Sequence, residues 1–263
     1  MKRVGIVTMH KVVNYGSALQ AWATQEVIRR LGYDVLIIDY VYPNAFHIKD
    51  KKRNIARSVL QWCLHFCQGF PWEKKRKHFE KFWNDNFNLT QTYPCVESIY
   101  NNPPDFDVYV AGSDQIWNPL FPNGKDPSYY IDFALSQTKR VSYAASFSVE
   151  YISDADKEFV KGMLAKMNRI SVREYQGVDI LKSLDIKNGV KVLDPVFLLD
   201  RNYWETFMHK GSEKDYILIY DFEGSDLMKR VALYFKRKKG WKIYSINDAL
   251  PRLYADKNFT KVG

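Results

Sequence analysis

Residues 106–119, Phe-Asp-Val-Tyr-Val-Ala-Gly-Ser-Asp-Gln-Ile-Trp-Asn-Pro, decide how this chain is interpreted. The apolar run from Phe106 to Val110 predicts a buried strand, and the polar residues after it predict a loop at its carboxyl end. Open α/β sheets bind their ligands at the carboxyl ends of their strands. A capped turn is an equally weighted interpretation, because Ser and Asp are common helix N-caps and Asn-Pro closes turns.

The loop residues of this stretch carry groups that suit a polar ligand. Gly112 allows the backbone to approach a ligand closely. Ser113, Asp114 and Gln115 present a hydroxyl, a carboxylate and an amide within three positions. Trp117 offers a flat apolar surface on which a sugar ring can stack. We therefore treat all five as candidate site residues.

The sequence on both sides of this stretch alternates between strand and helix patterns. A strand at Val4–Thr8, a helix from about Ser17 to Leu31 and a strand at Val35–Tyr40 form a βαβ opening. This opening predicts a parallel sheet with a right-handed crossover, and hence an α/β fold. Later strands are predicted at residues 140–145, 169–172, 190–193, 216–220 and 242–245.

Composition shifts along the chain predict its domain organisation. Residues 43–104 are basic, aromatic and rich in helix formers, and predict a helical insertion between sheet strands. We predict a Rossmann-like domain over residues 1–200 and the start of a second over residues 201–263. The second range holds one βαβ unit, which leaves sheet edges unpaired and cannot bury both faces, so we expect it to be incomplete.

Whole-chain totals narrow the class of protein. A hydrophobic content of 46% among 263 residues supports a substantial core. Cys63, Cys67 and Cys95 are too few and too irregularly spaced for a disulfide framework, and are typical of reduced thiols in a cytoplasmic protein. Residues 1–8 lack the long apolar region of a signal peptide, and no apolar run approaches a membrane span.

The net charge of +9 has three interpretations. Basic residues cluster at 49–53, 74–77 and 236–239, and solvated surfaces explain most such runs. Attraction to anionic substrates or to an anionic membrane surface is the second interpretation. Nucleic-acid binding is the third and weakest, because no zinc-finger spacing or aromatic RNA-binding signature accompanies the charge.

The loop after the first strand is a second candidate site. It joins a strand to a helix start, which is the anion-binding position of such folds, although an ordinary capped helix start is the alternative. The triple-glycine spacing of a dinucleotide site is absent. Its candidate ligand-binding residues are His10, Asn14, Tyr15, Gly16, Ser17 and Gln20.

Two further strand ends carry polar residues. Arg173 ends a predicted strand, and its planar fork suits a carboxylate or a phosphate, although a surface pair with Glu174 is the alternative. Ser146 ends another strand and can donate to a ligand, while its alanine neighbours suit core packing. The carboxylates near these motifs are single rather than clustered, so we expect no metal site.

Five segments together resemble the polysaccharide pyruvyl transferase family. They are His-Lys-x-x-Asn-Tyr-Gly-Ser-x-Leu-Gln (10–20), Gly-Ser-Asp-Gln-x-Trp-Asn-Pro (112–119), Ser-Tyr-Ala-Ala-Ser (142–146), Ser-Val-Arg-Glu (171–174) and Leu-Asp-Pro-Val-Phe-Leu-Leu (193–199). The resemblance implies two Rossmann-like domains facing a cleft, as in glycosyltransferase-B architecture. It also implies a cytoplasmic transferase of exopolysaccharide biosynthesis.

The resemblance implies a reaction as well. The enolpyruvyl part of phosphoenolpyruvate is transferred to two hydroxyls of a sugar, which gives a pyruvate ketal and phosphate without a further cofactor. On this basis we assign Arg173 and Asp114 to catalysis and the other loop residues to substrate binding. A lipid-linked glycan acceptor would bring the protein into peripheral contact with the inner face of the membrane, and no nucleic-acid partner is expected.

One departure from the family pattern concerns activity. The family's second domain usually carries a Ser-Phe-His-Gly-type motif, and its histidine is a candidate general acid. No such motif occurs before Gly263, so we expect a C-terminally incomplete chain with impaired or absent transfer. The alternatives are a nucleotide-sugar glycosyltransferase-like enzyme and a non-catalytic glycan-binding or assembly protein.

Overall fold

The computed structural model describes residues 1–41, 71–208, 214–221, 223–247 and 252–260. The chain divides into two compact units, Met1–Lys49 with Phe82–Trp204 and Asp50–Lys81 with Glu205–Gly263, which we call unit 1 and unit 2. The predicted division at residue 200 into two Rossmann-like domains stays a prediction, as does the glycosyltransferase-B architecture. Cys63, Cys67 and residues 43–70 of the predicted insertion lie outside the described residues.

A parallel sheet of five strands is the framework of unit 1. Its strands follow the order β3-β2-β1-β4-β5, and every neighbouring pair is parallel. This confirms the α/β class and the parallel βαβ opening. The strands are β1 (Arg3–Val7), β2 (Asp34–Tyr40), β3 (Leu89–Tyr93), β4 (Val108–Ala111) and β5 (Lys139–Ser142).

The central strands of this sheet explain why the sequence forms it. Parallel strands covered on both faces are continuous apolar runs, and the sequences Val-Gly-Ile-Val of β1 and Val-Tyr-Val-Ala of β4 fit that rule. Ile6 and Ile37 are wholly buried, on β1 and β2. The free energy from burying these strands fixes the sheet that carries the loops described below.

One part of the predicted helical insertion is wrong. Residues 89–93 form the edge strand β3 rather than a helix, and they pair with β2 in parallel. Thr90, Thr92 and Tyr93 have side chains that favour strands, but the basic, aromatic composition around them obscured that local preference. Helix α2 (Pro71–Asn86) precedes this strand.

Helix α1 (Tyr15–Arg30) carries the loop after β1 into the sheet layer. The Asn14 side chain accepts a hydrogen bond from the Ser17 backbone N–H at 3.2 Å and so caps the helix. Gly32, at φ +85°, follows the last turn in the left-handed region that glycine adopts most readily. The Trp22 ring packs against Tyr203 and Trp204, with ring centroids 5.3 Å apart in each pair.

The remaining elements of unit 1 extend the layer beyond β5. The short strands β6 and β7 pair in parallel, and isolated bridges join β6 to Ala145 and Arg169 to Val141. These elements are α3 (Val96–Asn101), α4 (Asp154–Leu164), β6 (Ser171–Val172), α5 (Tyr175–Ser183), β7 (Val190–Lys191) and α6 (Arg201–Phe207).

Unit 2 contains a smaller parallel sheet. Its strands β8 (Tyr216–Asp221), β9 (Lys242–Asn247) and β10 (Lys257–Thr260) follow the order β10-β9-β8. Helix α7 (Asp226–Lys239) joins β8 to β9 and packs Ala232 against Ile219 and Ile243. The predicted βαβ pattern of residues 216–245 is therefore present.

Candidate functional site

The candidate site of unit 1 lies at the carboxyl edge of the five-stranded sheet. The chain runs outward from β1 through β2 to β3, then crosses back to β4 and β5 on the other side of β1. The strand order therefore reverses between β1 and β4. Ligands of open α/β sheets bind at such a switch point, because the loops leaving the two strands diverge there.

The loops after β1 and β4 are hydrogen-bonded to each other at this point. The Ser17 hydroxyl, in the first turn of α1, donates to the Asp114 carboxylate with an Oγ–Oδ2 distance of 2.5 Å. Asp114 has a φ of +74°, a sparsely populated conformation for a residue with a side chain, and its Oδ1 accepts from the Gln115 backbone N–H. The structure therefore brings together two predicted site residues that are 97 positions apart.

A buried set of hydrogen bonds lies beneath this contact. The Gln20 amide group donates to the Thr8 hydroxyl at 3.0 Å, and its carbonyl oxygen accepts from the Ser113 backbone N–H at 3.0 Å. The Ser113 hydroxyl donates to the Ala144 carbonyl at 2.7 Å. Gln20 and Ser113 are buried and use these groups to join β1, α1, β4 and β5. These hydrogen bonds position the loops, and the assignment of both residues to substrate binding stays a prediction.

Arg173 provides the exposed cation of the site. Its Nε donates to Glu174 at 2.9 Å and its Nη1 to Asp194 at 3.0 Å, while the side chain keeps 29% of its surface exposed. Within the described residues, Nη2 donates no hydrogen bond. Two carboxylates thus hold the guanidinium in one orientation with a donor edge still available.

Carboxylates dominate the electrostatics around Arg173. Partial burial by itself lowers the pKa of the guanidinium, but the hydrogen bonds to Glu174 and Asp194 and the nearby Asp114 carboxylate raise that pKa overall. Asp194 also accepts a long hydrogen bond, 3.4 Å, from the Ser113 hydroxyl. We call Ser17, Asp114, Arg173, Glu174 and Asp194 the Arg173 cluster.

Asp194 is the site residue that sequence reasoning missed. It lies in the Leu-Asp-Pro segment, where its Oδ1 accepts from the Val196 backbone N–H and caps a short 3-10 turn at Pro195–Leu198. The acidic residue before proline in the segment Leu-Asp-Pro-Val-Phe-Leu-Leu was the available signal. Tyr143 lies near Asp194. The pKa of the Tyr143 phenol is raised, mainly because the side chain is partly buried and to a smaller extent because of the Asp194 charge.

His10 lies in a separate, closed cluster, and its assignment to substrate binding stays a prediction. Its Nε2 is 2.9 Å from Asp39 Oδ1 and its Nδ1 is 3.2 Å from the Thr8 carbonyl oxygen, and the side chain is 2% exposed. Lys11 and Thr92 also donate to Asp39. Both ring nitrogens therefore have protein partners. We call His10, Lys11, Asp39 and Thr92 the His10 cluster.

Trp117 lies in the core of unit 1. The indole is wholly buried, stacked on Tyr130 at 5.5 Å and tilted against Phe147, and its Nε1 donates to the Tyr129 carbonyl. No face of this ring is available to a sugar in the structure. The apolar residues around Trp117 made it a core residue, which the polar motif that contains it did not reveal.

Some of the other predicted site residues are buried or contact the protein, and others are exposed. A Cβ at Gly112 would overlap the carbonyl oxygen of Tyr143, so the close approach there is to protein backbone. Gln115 accepts from the Asn118 side chain. Ser146 Oγ is buried and has no hydrogen-bond partner among the residues that the structure describes. Tyr15 and Gly16 are exposed at the start of α1.

The described residues contain neither a clustered set of metal ligands nor a membrane-spanning helix. In that part of the chain, no group of three or more His, Cys, Asp or Glu side chains is arranged to hold a metal ion. Nor is any helix there both long enough and apolar enough to cross a bilayer.

Comparison with known proteins identifies one family. The model of the family described as polysaccharide pyruvyl transferase matches residues 14–262 of the chain. A search of curated proteins finds no match. The family match spans the Arg173 cluster and both units.

Proposed function

Because the chain belongs to the polysaccharide pyruvyl transferase family, we propose that it transfers the enolpyruvyl group of phosphoenolpyruvate to a sugar of a surface polysaccharide precursor. One sugar hydroxyl adds across the enol double bond and a proton joins the methylene carbon. A second hydroxyl then displaces phosphate from the same carbon, which closes the ketal. A general acid supplies this proton.

The observation that carries this proposal is the orientation of Arg173. Its guanidinium is fixed by two carboxylates at the edge where α/β sheets bind ligands, and it presents a planar donor edge that fits a carboxylate. Phosphoenolpyruvate has one carboxylate and one phosphate. We assign the carboxylate to Arg173, since a single guanidinium surrounded by three carboxylates is a poor site for a multiply charged phosphate.

The surrounding carboxylates suit the sugar rather than the donor. Ionised carboxylates only accept hydrogen bonds, and sugar hydroxyls are good donors. Asp114 is half-buried and is held by Ser17 and by its own backbone contact, so it is placed to orient the attacking hydroxyl. Tyr15 and Gly16 form the exposed rim beside it and complete the proposed acceptor side.

An acceptor-dependent phosphate-release assay tests this function. The chain is incubated with phosphoenolpyruvate and a panel of lipid-linked and soluble glycans, and the product is analysed for a pyruvate ketal by mass spectrometry. Phosphate release that requires both substrates supports the proposal. Selective binding of a nucleotide sugar with no response to phosphoenolpyruvate would contradict it and favour a glycosyltransferase.

Glycan binding without turnover is the second candidate function. The observation that favours it is the excess of carboxylates over cations in the Arg173 cluster, which suits hydroxyl recognition without requiring an anionic donor. Calorimetric titration with the same glycans separates the two functions. Binding that is unaffected by phosphoenolpyruvate and yields no ketal would identify a binding protein.

A further inference from the structure

The outward face of α7 in unit 2 is unusual for a surface helix. Leu227, Val231 and Tyr234 are exposed by 69%, 47% and 48%, and Met228 is exposed beside them. A solvent-facing helix surface is ordinarily polar. These residues recur at intervals of three and four positions, so they form one continuous apolar stripe along the helix.

The stripe lies on the side of α7 opposite the sheet. The inward side is defined by Ala232, which packs on Ile219 and Ile243, and by Lys236, which pairs with Asp256 at 2.6 Å. At 100° per residue, Val231 and Tyr234 project away from that side. The apolar stripe is therefore separate from the core-facing side of the helix, and α7 does not use it to pack on the sheet.

Basic side chains border this stripe. Six of the fourteen residues of α7 are Lys or Arg, against one acidic residue at its start. Arg230 and Arg237 lie along one margin of the stripe, and Lys238 lies at its C-terminal end. Lys238 also donates to the Tyr234 hydroxyl at 2.9 Å, which places its charge directly at the apolar surface.

This combination distinguishes among the partners that a basic surface attracts. Nucleic acid and acidic proteins match the charge, but neither calls for an apolar stripe beside the basic residues. The interfacial region of an anionic bilayer matches both, because its acyl boundary accepts Leu, Val and Tyr while its headgroups attract Lys and Arg.

We propose that the outward face of α7 is a docking surface for an anionic lipid bilayer. The Leu227, Val231 and Tyr234 stripe enters the headgroup boundary, and the flanking basic residues contact anionic lipids. The proposed function gives this contact a purpose, since a lipid-linked acceptor lies at such a surface. The binding itself is measured without substrate, so failure of the transfer reaction leaves this proposal standing.

Vesicle co-sedimentation tests the surface. Vesicles of phosphatidylcholine with about 30% phosphatidylglycerol should bind the chain, and pure phosphatidylcholine vesicles should bind it about tenfold more weakly. The Leu227→Ser/Val231→Ser variant should lose about tenfold in affinity for the anionic vesicles. The Arg230→Gln/Arg237→Gln variant should lose a similar factor and much of its salt dependence.

Matched controls keep the test specific. Leu135→Ser and Lys187→Gln change an exposed apolar and an exposed basic residue of unit 1, and both variants should bind like the wild type. Urea unfolding of the α7 variants should match the wild type, because the altered side chains are exposed. Equal vesicle binding by all variants would overturn the proposal.

Three other results would also overturn the proposal. One is a large loss of stability in Leu227→Ser/Val231→Ser, which would show that another part of the chain covers the stripe in solution. Another is a dimer that this variant dissociates. The third is tight, salt-sensitive binding of duplex DNA without vesicle binding, which would assign the basic residues to nucleic acid.

Discussion

The Arg173 cluster and the His10 cluster both include residues at the carboxyl edge of the five-stranded sheet but differ in burial. Arg173 keeps 29% of its side chain exposed, and three carboxylates lie around it. His10 and Asp39 are almost fully buried, and their polar groups contact one another and Thr8. The edge of one α/β sheet therefore carries both an exposed set of polar residues and a buried one.

The largest loss of stability should come from disrupting the His10 cluster. Asp39→Asn removes the carboxylate that Lys11 and His10 contact, and should lower the free energy of unfolding by about 3 kcal/mol, because a charge partner is lost in a buried environment. Urea denaturation measures the change. Asp34→Asn on the same strand is the matched control, since its pair with Arg3 is exposed and long, 3.7 Å, and should cost under about 1 kcal/mol. Equal losses in the two variants would erase the distinction between the clusters.

Substitutions in the Arg173 cluster should lower activity rather than stability. Arg173→Ala should reduce acceptor-dependent phosphate release by about 100-fold, because the oriented donor edge is lost. Arg173→Lys keeps the charge but not the fork, and should recover little of the rate. Arg169→Ala, at an exposed arginine two residues before β6, is the control and should be near wild type. A normal rate in Arg173→Ala would remove this cluster from the reaction.

A smaller effect should follow from loosening Arg173 without removing it. Asp194→Asn weakens the charged hydrogen bond to Nη1 while Glu174 still holds Nε, so kcat/KM should fall about tenfold. If Asp194 acts by positioning Arg173, the same substitution should have no further effect in the Arg173→Ala background. Additive losses in the double variant would show instead that Asp194 acts independently.

The smallest effect is a change in how the free energy of unfolding depends on pH, and it concerns the His10 cluster alone. Burial by itself raises the pKa of Asp39, but hydrogen bonds from His10, Lys11 and Thr92 lower it well below its usual range. The stabilisation is therefore complete above the ordinary aspartate pKa of about 4 and is lost as the pH falls below it. The free energy of unfolding should decline less steeply below that pH in Asp39→Asn than in the wild type. Parallel pH profiles would contradict this account.

Residue patterns predicted the strands and loops of the site better than they predicted which side chains are exposed there. The apolar runs before Gly112 and His10 predicted the parallel strands, and the polar residues after them predicted the contact edge where Ser17 meets Asp114. The burial of Trp117 was not predictable from the motif, because it depends on packing against Tyr130 and Phe147, which lie outside residues 112–119.

Partners that are remote in sequence explain the other differences. His10 is closed off by Asp39, 29 positions away, and no local pattern links the two residues. Asp194 joins Arg173 from 21 positions away, and its place in a turn concealed that contact. Strand β3 was missed because five residues of moderate strand preference gain their stability from pairing with β2.

The hydrogen bond between Ser17 and Asp114 has a consequence for how the chain folds. It joins residues 97 apart, and the bond from Ser113 to Asp194 joins residues 81 apart. Contacts so distant in sequence close large loops and are slow to form. We therefore expect the site to be completed only after β1, β4 and the Leu-Asp-Pro segment have assembled. A ligand that binds there acts on the native state alone, so it should slow proteolysis throughout unit 1 in proportion to its occupancy.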